Sequence, residues 1–299
     1  MAKRLDAEFL SGGTRCSAWL YLPDGGRPAP VIVMAHGLGG VRTMRLDAFA
    51  ARFCEEGYAC LVFDYRHFGD SDGEPRQVLD IEAQLQDWRA AIAFARKRPE
   101  VDGSRLVVWG TSFGGGHAIA VAAADPEVAA MIAQCPYTDN LASALAISPF
   151  VSIKLAAMAL IDQLGAWLGA RPLLVATAGK PYSTALMTAY DAAPGYLALV
   201  PPGSQVRNGI AARIALRILF YRPGSKTARL ACPALFCVCE RDTVAPARAT
   251  LKHAKRAPKG EIVRYSFGHF DIYVGEGFKC ATADQIAFLR RHVPVRPRS

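Results

Sequence analysis

The run Gly110-Thr111-Ser112-Phe113-Gly114 sets a serine between two glycines, each two residues away. Where such a pentamer joins a strand to a helix, the serine sits on a sharp, strained turn with its hydroxyl standing clear of the sheet. Only residues without a β-carbon fit two before and two after it. An apolar run, Arg105 to Gly110, precedes the motif, and an Ala-rich stretch, Gly115 to Ala124, follows it. Ser112 is therefore the candidate nucleophile, with the positive end of a helix dipole behind it to favour an alkoxide.

A serine hydroxyl needs a base to take its proton at neutral pH. Six histidines compete. His36 lies in a tight glycine turn, His67 follows a strand, His117 falls inside the helix after the serine, and His253 and His292 lie in surface-like helices. His269, in Phe267-Gly268-His269-Phe270, follows the last expected strand, where a parallel sheet presents its carboxyl ends to ligands, and is the candidate base. An imidazole base must be oriented by a carboxylate. Asp242, just after the next-to-last strand, completes the chain order Ser, Asp, His. Asp139, beyond the strand ending at Gln134, and Glu240 compete with it, and Asp242 is preferred.

Charge developing on a carbonyl oxygen calls for two backbone donors. Phe113 N–H, directly after the nucleophile, is one candidate; Leu38 N–H, in the turn His36-Gly37-Leu38-Gly39-Gly40, is the other. The loop from Asp64 to Gln77 is dense in charge and glycine. Its charges are expected to tie neighbouring loops together and hold the oxyanion turn, the alternative being a substrate carboxylate on Arg66.

These residues need a sheet to bring them together, and the pattern supplies one. Buried-type strands are expected at Pro30 to His36, Ala59 to Tyr65, Arg105 to Gly110, Val128 to Gln134, Ala234 to Cys239 and Glu261 to Phe267, after an antiparallel strand at Arg15 to Leu22. Ile81, Leu85, Trp88, Ile92 and Ala95 recur at helical spacing and stop at Arg96-Lys97-Arg98-Pro99; weaker helices are Met44 to Glu56, Pro246 to Ala257 and Thr282 to Arg291. Residues 1–136 and 230–299 thus form an α/β core. Between them, 137–229 reads as a helical cap without a convincing strand, with helices at Leu141 to Ile147, Phe150 to Leu168 and Ala211 to Tyr221. Phe150, Met158, Leu160, Trp167, Met187 and Tyr190 give this cap more apolar material than a helix lying on a sheet needs, enough either to pack on itself or to line a hydrophobic cleft.

With 52% hydrophobic and 20% charged residues in 299, disorder is excluded away from the ends. No membrane span is expected: Leu106 to Ala124, the longest charge-free stretch, is broken by Ser112, His117 and four glycines. The N-terminus lacks the apolar run of a secretory signal, so a cytoplasmic location is expected. Eight cysteines without a CxxC read as buried thiols. The net charge of +9 gathers in Arg207, Arg213, Arg217, Arg222, Lys226 and Arg229 and in a tail with Arg290, Arg291, Arg296 and Arg298. No nucleic-acid module accompanies them; they read as a solvated basic face, with an anion-binding or lipid-facing surface as the alternative.

The HGLGG turn, the YRHFGDSDG loop, GTSFG, Asp242 and GHF together resemble the serine hydrolases of the α/β-hydrolase fold, from the Val31 strand to the final helix, interrupted by the cap. YRHFGDSDGEPRQ is similar to stretches of the dienelactone-hydrolase-like and peptidase-S15-like branches and of polyketide acyl-transferring hydrolases. The resemblance implies no metal and no cofactor, and a small-molecule ester or acyl substrate. The expected reaction is hydrolysis of a carboxylic ester of a medium-sized, largely apolar substrate. Alternatives are an acyltransferase, thioesterase or C–C hydrolase with the same three residues, or a receptor-like binder. A homodimer is compatible with the sequence.

Overall fold

The computed structural model describes residues 3–25, 28–145 and 148–295. The chain opens with an antiparallel hairpin, β1 (Lys3–Ser11) and β2 (Thr14–Leu22), closed by Gly12 and Gly13 at positive φ. There follow β3 (Ala29–Ala35), α1 (Leu46–Glu55), β4 (Ala59–Phe63), α2 (Ile81–Arg96), β5 (Val101–Thr111), α3 (Phe113–Ala122) and β6 (Ala130–Gln134). The chain then leaves the sheet through α4 (Asn140–Leu145), α5 (Pro149–Trp167), β7 (Leu174–Ala178), β8 (Ala185–Met187), α6 (Ala192–Ala198), β9 (Ile210–Ala211) and α7 (Ile214–Ile218). It returns with β10 (Ala234–Cys239), α8 (Ala247–Ala254), β11 (Gly260–Tyr265) and α9 (Gly275–His292).

Eight strands form one sheet in the order β1-β2-β4-β3-β5-β6-β10-β11, antiparallel at the β1, β2 and β4 end and parallel from β4 onward. Every residue of β3, β4, β6 and β10 is buried, because helices cover both faces. α2 starts at Asp80, whose carboxylate accepts the Ala83 N–H at 2.9 Å, and buries Leu85, Trp88, Ala91, Ile92 and Ala95 along one stripe. α9 is tied beneath the serine turn: Trp109 Nε1–H donates to Gln285 Oε1 and Gln285 Nε2–H to Gln134 Oε1, each at 2.9 Å.

The structure departs from the sequence reading in the cap. A small sheet, β8-β7-β9, stands where no strand was expected, and the helix expected over Ala211 to Tyr221 shrinks to α7. Leu174–Ala178 is Ala- and Thr-containing and only half buried, so its pairing with Ala185–Met187 and Ile210–Ala211 is a tertiary outcome that local propensity does not signal. β1 was also missed, although Leu5, Ala7 and Phe9 alternate with charged residues ahead of Gly12-Gly13. The expected helix end at Ala146 and Ile147, the turn residue Gly26, and Arg296 and Arg298 lie outside the described residues.

The expectation of no membrane-length segment also needs correction. α5 is 19 residues long with a mean hydropathy of 1.3, long and apolar enough to cross a membrane by length and composition. Lys154 and Asp162 broke the charge-free count without making the helix polar. The cysteines are free thiols, seven of them buried.

Candidate active site

Ser112 sits at φ +54°, ψ −121° between β5 and α3, a region that an L-residue occupies only when its surroundings impose it. The two glycines of the pentamer explain how the turn closes. A β-carbon on Gly110 would lie 2.1 Å from Gly114 O, and one on Gly114 would lie 2.3 Å from His36 O. The backbone here is packed too tightly for any side chain.

The loops after β10 and β11 bring two distant residues to this turn. Ser112 Oγ lies 3.0 Å from His269 Nε2, and His269 Nδ1 lies 2.7 Å from Asp242 Oδ2. The geometry is satisfied by Nδ1–H donating to the carboxylate and Nε2 accepting from the serine hydroxyl. Asp242 Oδ1 is held in turn by the N–H groups of Val244 (2.8 Å) and Ala245 (2.6 Å). Burial of His269 opposes the imidazolium, but the Asp242 carboxylate, with Cys135 beside it, outweighs burial and holds the His269 pKa well above the ordinary histidine value.

The competing acids have other partners. Asp139 caps α4 through the N–H groups of Leu141 (2.9 Å) and Ala142 (3.1 Å) and takes His253 Nε2 at 3.2 Å, while Glu240 pairs with Arg264. His253, expected at a surface, is buried. Arg66 is turned inward onto Asp87 and Ser11, away from any substrate role.

Leu38 and Phe113 line a cavity of about 390 Å³ together with Ser112. Neither N–H has an intramolecular hydrogen-bond partner among the described residues; Phe113 opens α3, where the first N–H groups have no helical acceptor. The turn carrying Leu38 is braced from behind. Gly37 N–H donates to His36 Nδ1 at 2.7 Å, and His36 Nε2–H to Met44 O at 3.0 Å, so the ring is pinned and burial lowers its pKa to about 4. Arg42, just beyond the turn, clasps Asp64 and Asp70 of the polar loop, and Asp64 Oδ1 accepts Arg42 N–H at 2.7 Å. The charges of that loop hold the turn, as anticipated. Arg42→Ala would leave Asp64 buried without its cation, and a loss of about 3–5 kcal/mol is expected; a thermal unfolding midpoint unchanged from wild type would contradict this.

Sequence reasoning missed the brace on the other side. His117 in α3 accepts from Tyr221 O–H at 2.7 Å and donates to Gln84 Oε1 at 3.0 Å; burial lowers its pKa to about 3, so it stays neutral. Phe113 packs against the rings of His117, Tyr137 and Tyr221 at 4.9 to 5.3 Å, which fixes the start of α3 against the cap. Position inside the helix that follows the serine was the sole sequence signal for His117. Cys135 Sγ, the Asp242 carboxylate and the His269 ring lie within 4.8 Å of one another, a donor set suited to zinc. Both ring nitrogens of His269 are already engaged by Asp242 and Ser112, so an ion there would have to displace one of these contacts.

A mostly parallel sheet with a strained serine at a strand-to-helix turn, and loops from two later strands folded over it, defines an α/β hydrolase. The chain belongs to the serine aminopeptidase S33 family, whose model matches residues 26–269, and is an enzyme of that fold family. It is 56% identical over 292 residues to the quorum-quenching protein AidA of Acinetobacter baumannii (strain MDR-ZJ06), covering 98% of this chain and 96% of that one. A polyketide transferase, grgF, of a Penicillium species is 27% identical over 297 residues, covering 97% of each chain. The crystal structure of that α/β hydrolase superposes with a TM-score of 0.83 at 26% identity, over 97% of this chain and 99% of that one.

Proposed function

We propose that this protein hydrolyses carboxylic esters of a largely apolar acyl group through an acyl-enzyme on Ser112. The observation that carries the proposal is the His269 ring, in hydrogen-bond reach of both Ser112 Oγ and Asp242 Oδ2 beside a cavity whose lining, among the described residues, contains no charged side chain. Leu186, Met187, Leu216 and Val244 make the walls apolar, and besides Ser112 the hydroxyls of Tyr137, Ser143, Ser152, Thr188 and Thr243 are the polar exceptions. Such a cavity suits a neutral substrate with an aliphatic or aromatic acyl part.

His269 Nε2 takes the Ser112 proton as Oγ attacks the carbonyl carbon, and Asp242 holds the imidazole tautomer and the imidazolium that forms. The N–H groups of Leu38 and Phe113 hold the tetrahedral oxyanion. Collapse breaks the C–O bond, His269 returns the proton to the leaving alcohol, and water then repeats the sequence to release the acid. The name of the 56% identical relative, a quorum-quenching protein, supports a quorum-sensing signal as the substrate. Likeness to polyketide transferases supports a second reading, in which an alcohol, amine or thiol replaces water as acceptor. With nitrophenyl esters of graded chain length, kcat/KM is expected to rise from acetyl towards medium chains; a fall with each added carbon contradicts an apolar acyl site. Product analysis with a competing alcohol separates the two acceptors.

A further inference from the structure

α5 is held to the cap by one stripe only. Val151, Leu155 and Ala159 are buried along it, and Asp162 accepts the Leu173 N–H (2.7 Å), the Arg213 N–H (2.8 Å) and the Arg213 guanidinium (2.8 Å). These contacts commit the Asp162 side of the helix to the protein, so α5 lies along the cap and does not stand free of it. The opposite ridge is apolar and open. Phe150, Ile153, Leu160, Leu164 and Trp167 follow one another at helical spacing, with Ala157 between Ile153 and Leu160, and their exposures run from 54% to 74%; Leu168 continues the ridge at 86%. Side chains of this size on one continuous face of a folded chain mark an interaction surface.

Charge decides what covers it. Residues 137–229 hold nine Lys and Arg against three Asp. All three acids are engaged: Asp139 with His253, Asp162 with Arg213, and Asp191 with the Thr243 hydroxyl. Lys154 lies on α5 itself, over the Phe150 ring at 4.4 Å; Arg171 follows the helix, and Arg217 and Arg222 lie on and just after α7, which packs against it. All four are exposed, and none has an acidic partner among the described residues. A second copy meeting this face about a two-fold axis would bring like surpluses of positive charge together. An anionic bilayer surface matches both the apolar ridge and the basic flanks, with exposed Phe150 and Trp167 at the two ends of the helix.

We propose that α5 docks in plane on an anionic lipid surface. The site gives the contact a use: Ile153 and Leu219 line the cavity and are also 70% and 49% exposed, so the cavity opens beside the docking face and an apolar substrate would enter from the lipid.

Co-sedimentation of the full chain with phosphatidylcholine vesicles, and with vesicles of phosphatidylcholine and phosphatidylglycerol, tests the proposal. At least tenfold tighter binding to the anionic vesicles is expected, falling at high salt, with a blue shift of tryptophan emission that Trp167→Phe abolishes. Leu164→Glu with Trp167→Glu should remove binding while leaving the thermal midpoint unchanged, since both positions are exposed. Equal binding to both vesicles, no binding, or a salt-resistant dimer in solution that the same double variant disperses would overturn it. None of these readouts needs turnover, so their failure leaves the Ser112 chemistry standing, and the Ser112→Ala protein should bind as wild type does.

Discussion

Ser112→Ala is expected to lower kcat on a nitrophenyl ester by three or more orders of magnitude with little change in thermal stability. In the proposed reaction the hydroxyl is the atom that bonds to the carbonyl carbon, and His269 Nε2, aimed at Oγ from 3.0 Å, would be left without that nucleophile to deprotonate. Stability should hold because alanine carries the same β-carbon as serine at φ +54°, so the strain of the turn is unchanged. The residual rate would come from the Leu38 and Phe113 N–H groups and from binding alone. A variant with wild-type turnover would move the nucleophile elsewhere.

Asp242→Asn is expected to cost about 10³ to 10⁴ in kcat, whereas Asp139→Asn keeps most activity. The asymmetry follows from partners. An amide at 242 would present an N–H to His269 Nδ1 and push the ring proton to Nε2, the atom that must accept from Ser112. Asp139 serves α4 and His253, outside this arrangement. The same exchange predicts a pH effect. Imidazolium cannot accept the serine proton, so kcat/KM falls as pH drops through the His269 pKa, which the Asp242 carboxylate holds above the ordinary value. Removing that charge should move the acid limb of the pH–rate profile to lower pH. A limb that stays in place, or activity lost equally in the Asp139 variant, contradicts the assignment of the acid.

The serine turn was legible because its requirement is local: Gly110 and Gly114 leave no room for a side chain, and five consecutive residues record that. His269 and Asp242 were legible by topology, since in a parallel sheet the loops after β10 and β11 must open on the same rim as the loop after β5. The braces were not. His36 and His117 both read as histidines in awkward places, and their functions are set by partners 8 to 104 residues away in the chain, Met44, Gln84 and Tyr221. The cap suffered most. Its apolar excess was noticed, but of the residues that signalled it Met187 lines the cavity while Phe150, Leu160, Trp167 and Tyr190 face outward. An apolar residue on a helix declares that it will be covered, not by what.

The central claim is that Ser112 Oγ reacts because His269 activates it, and labelling with a fluorophosphonate followed by mass spectrometry of the peptides tests it most directly. One adduct is predicted, on the peptide containing Ser112, absent from Ser112→Ala and formed at least a hundredfold more slowly in His269→Gln. Labelling at another residue, or at an undiminished rate without the imidazole, would contradict the account.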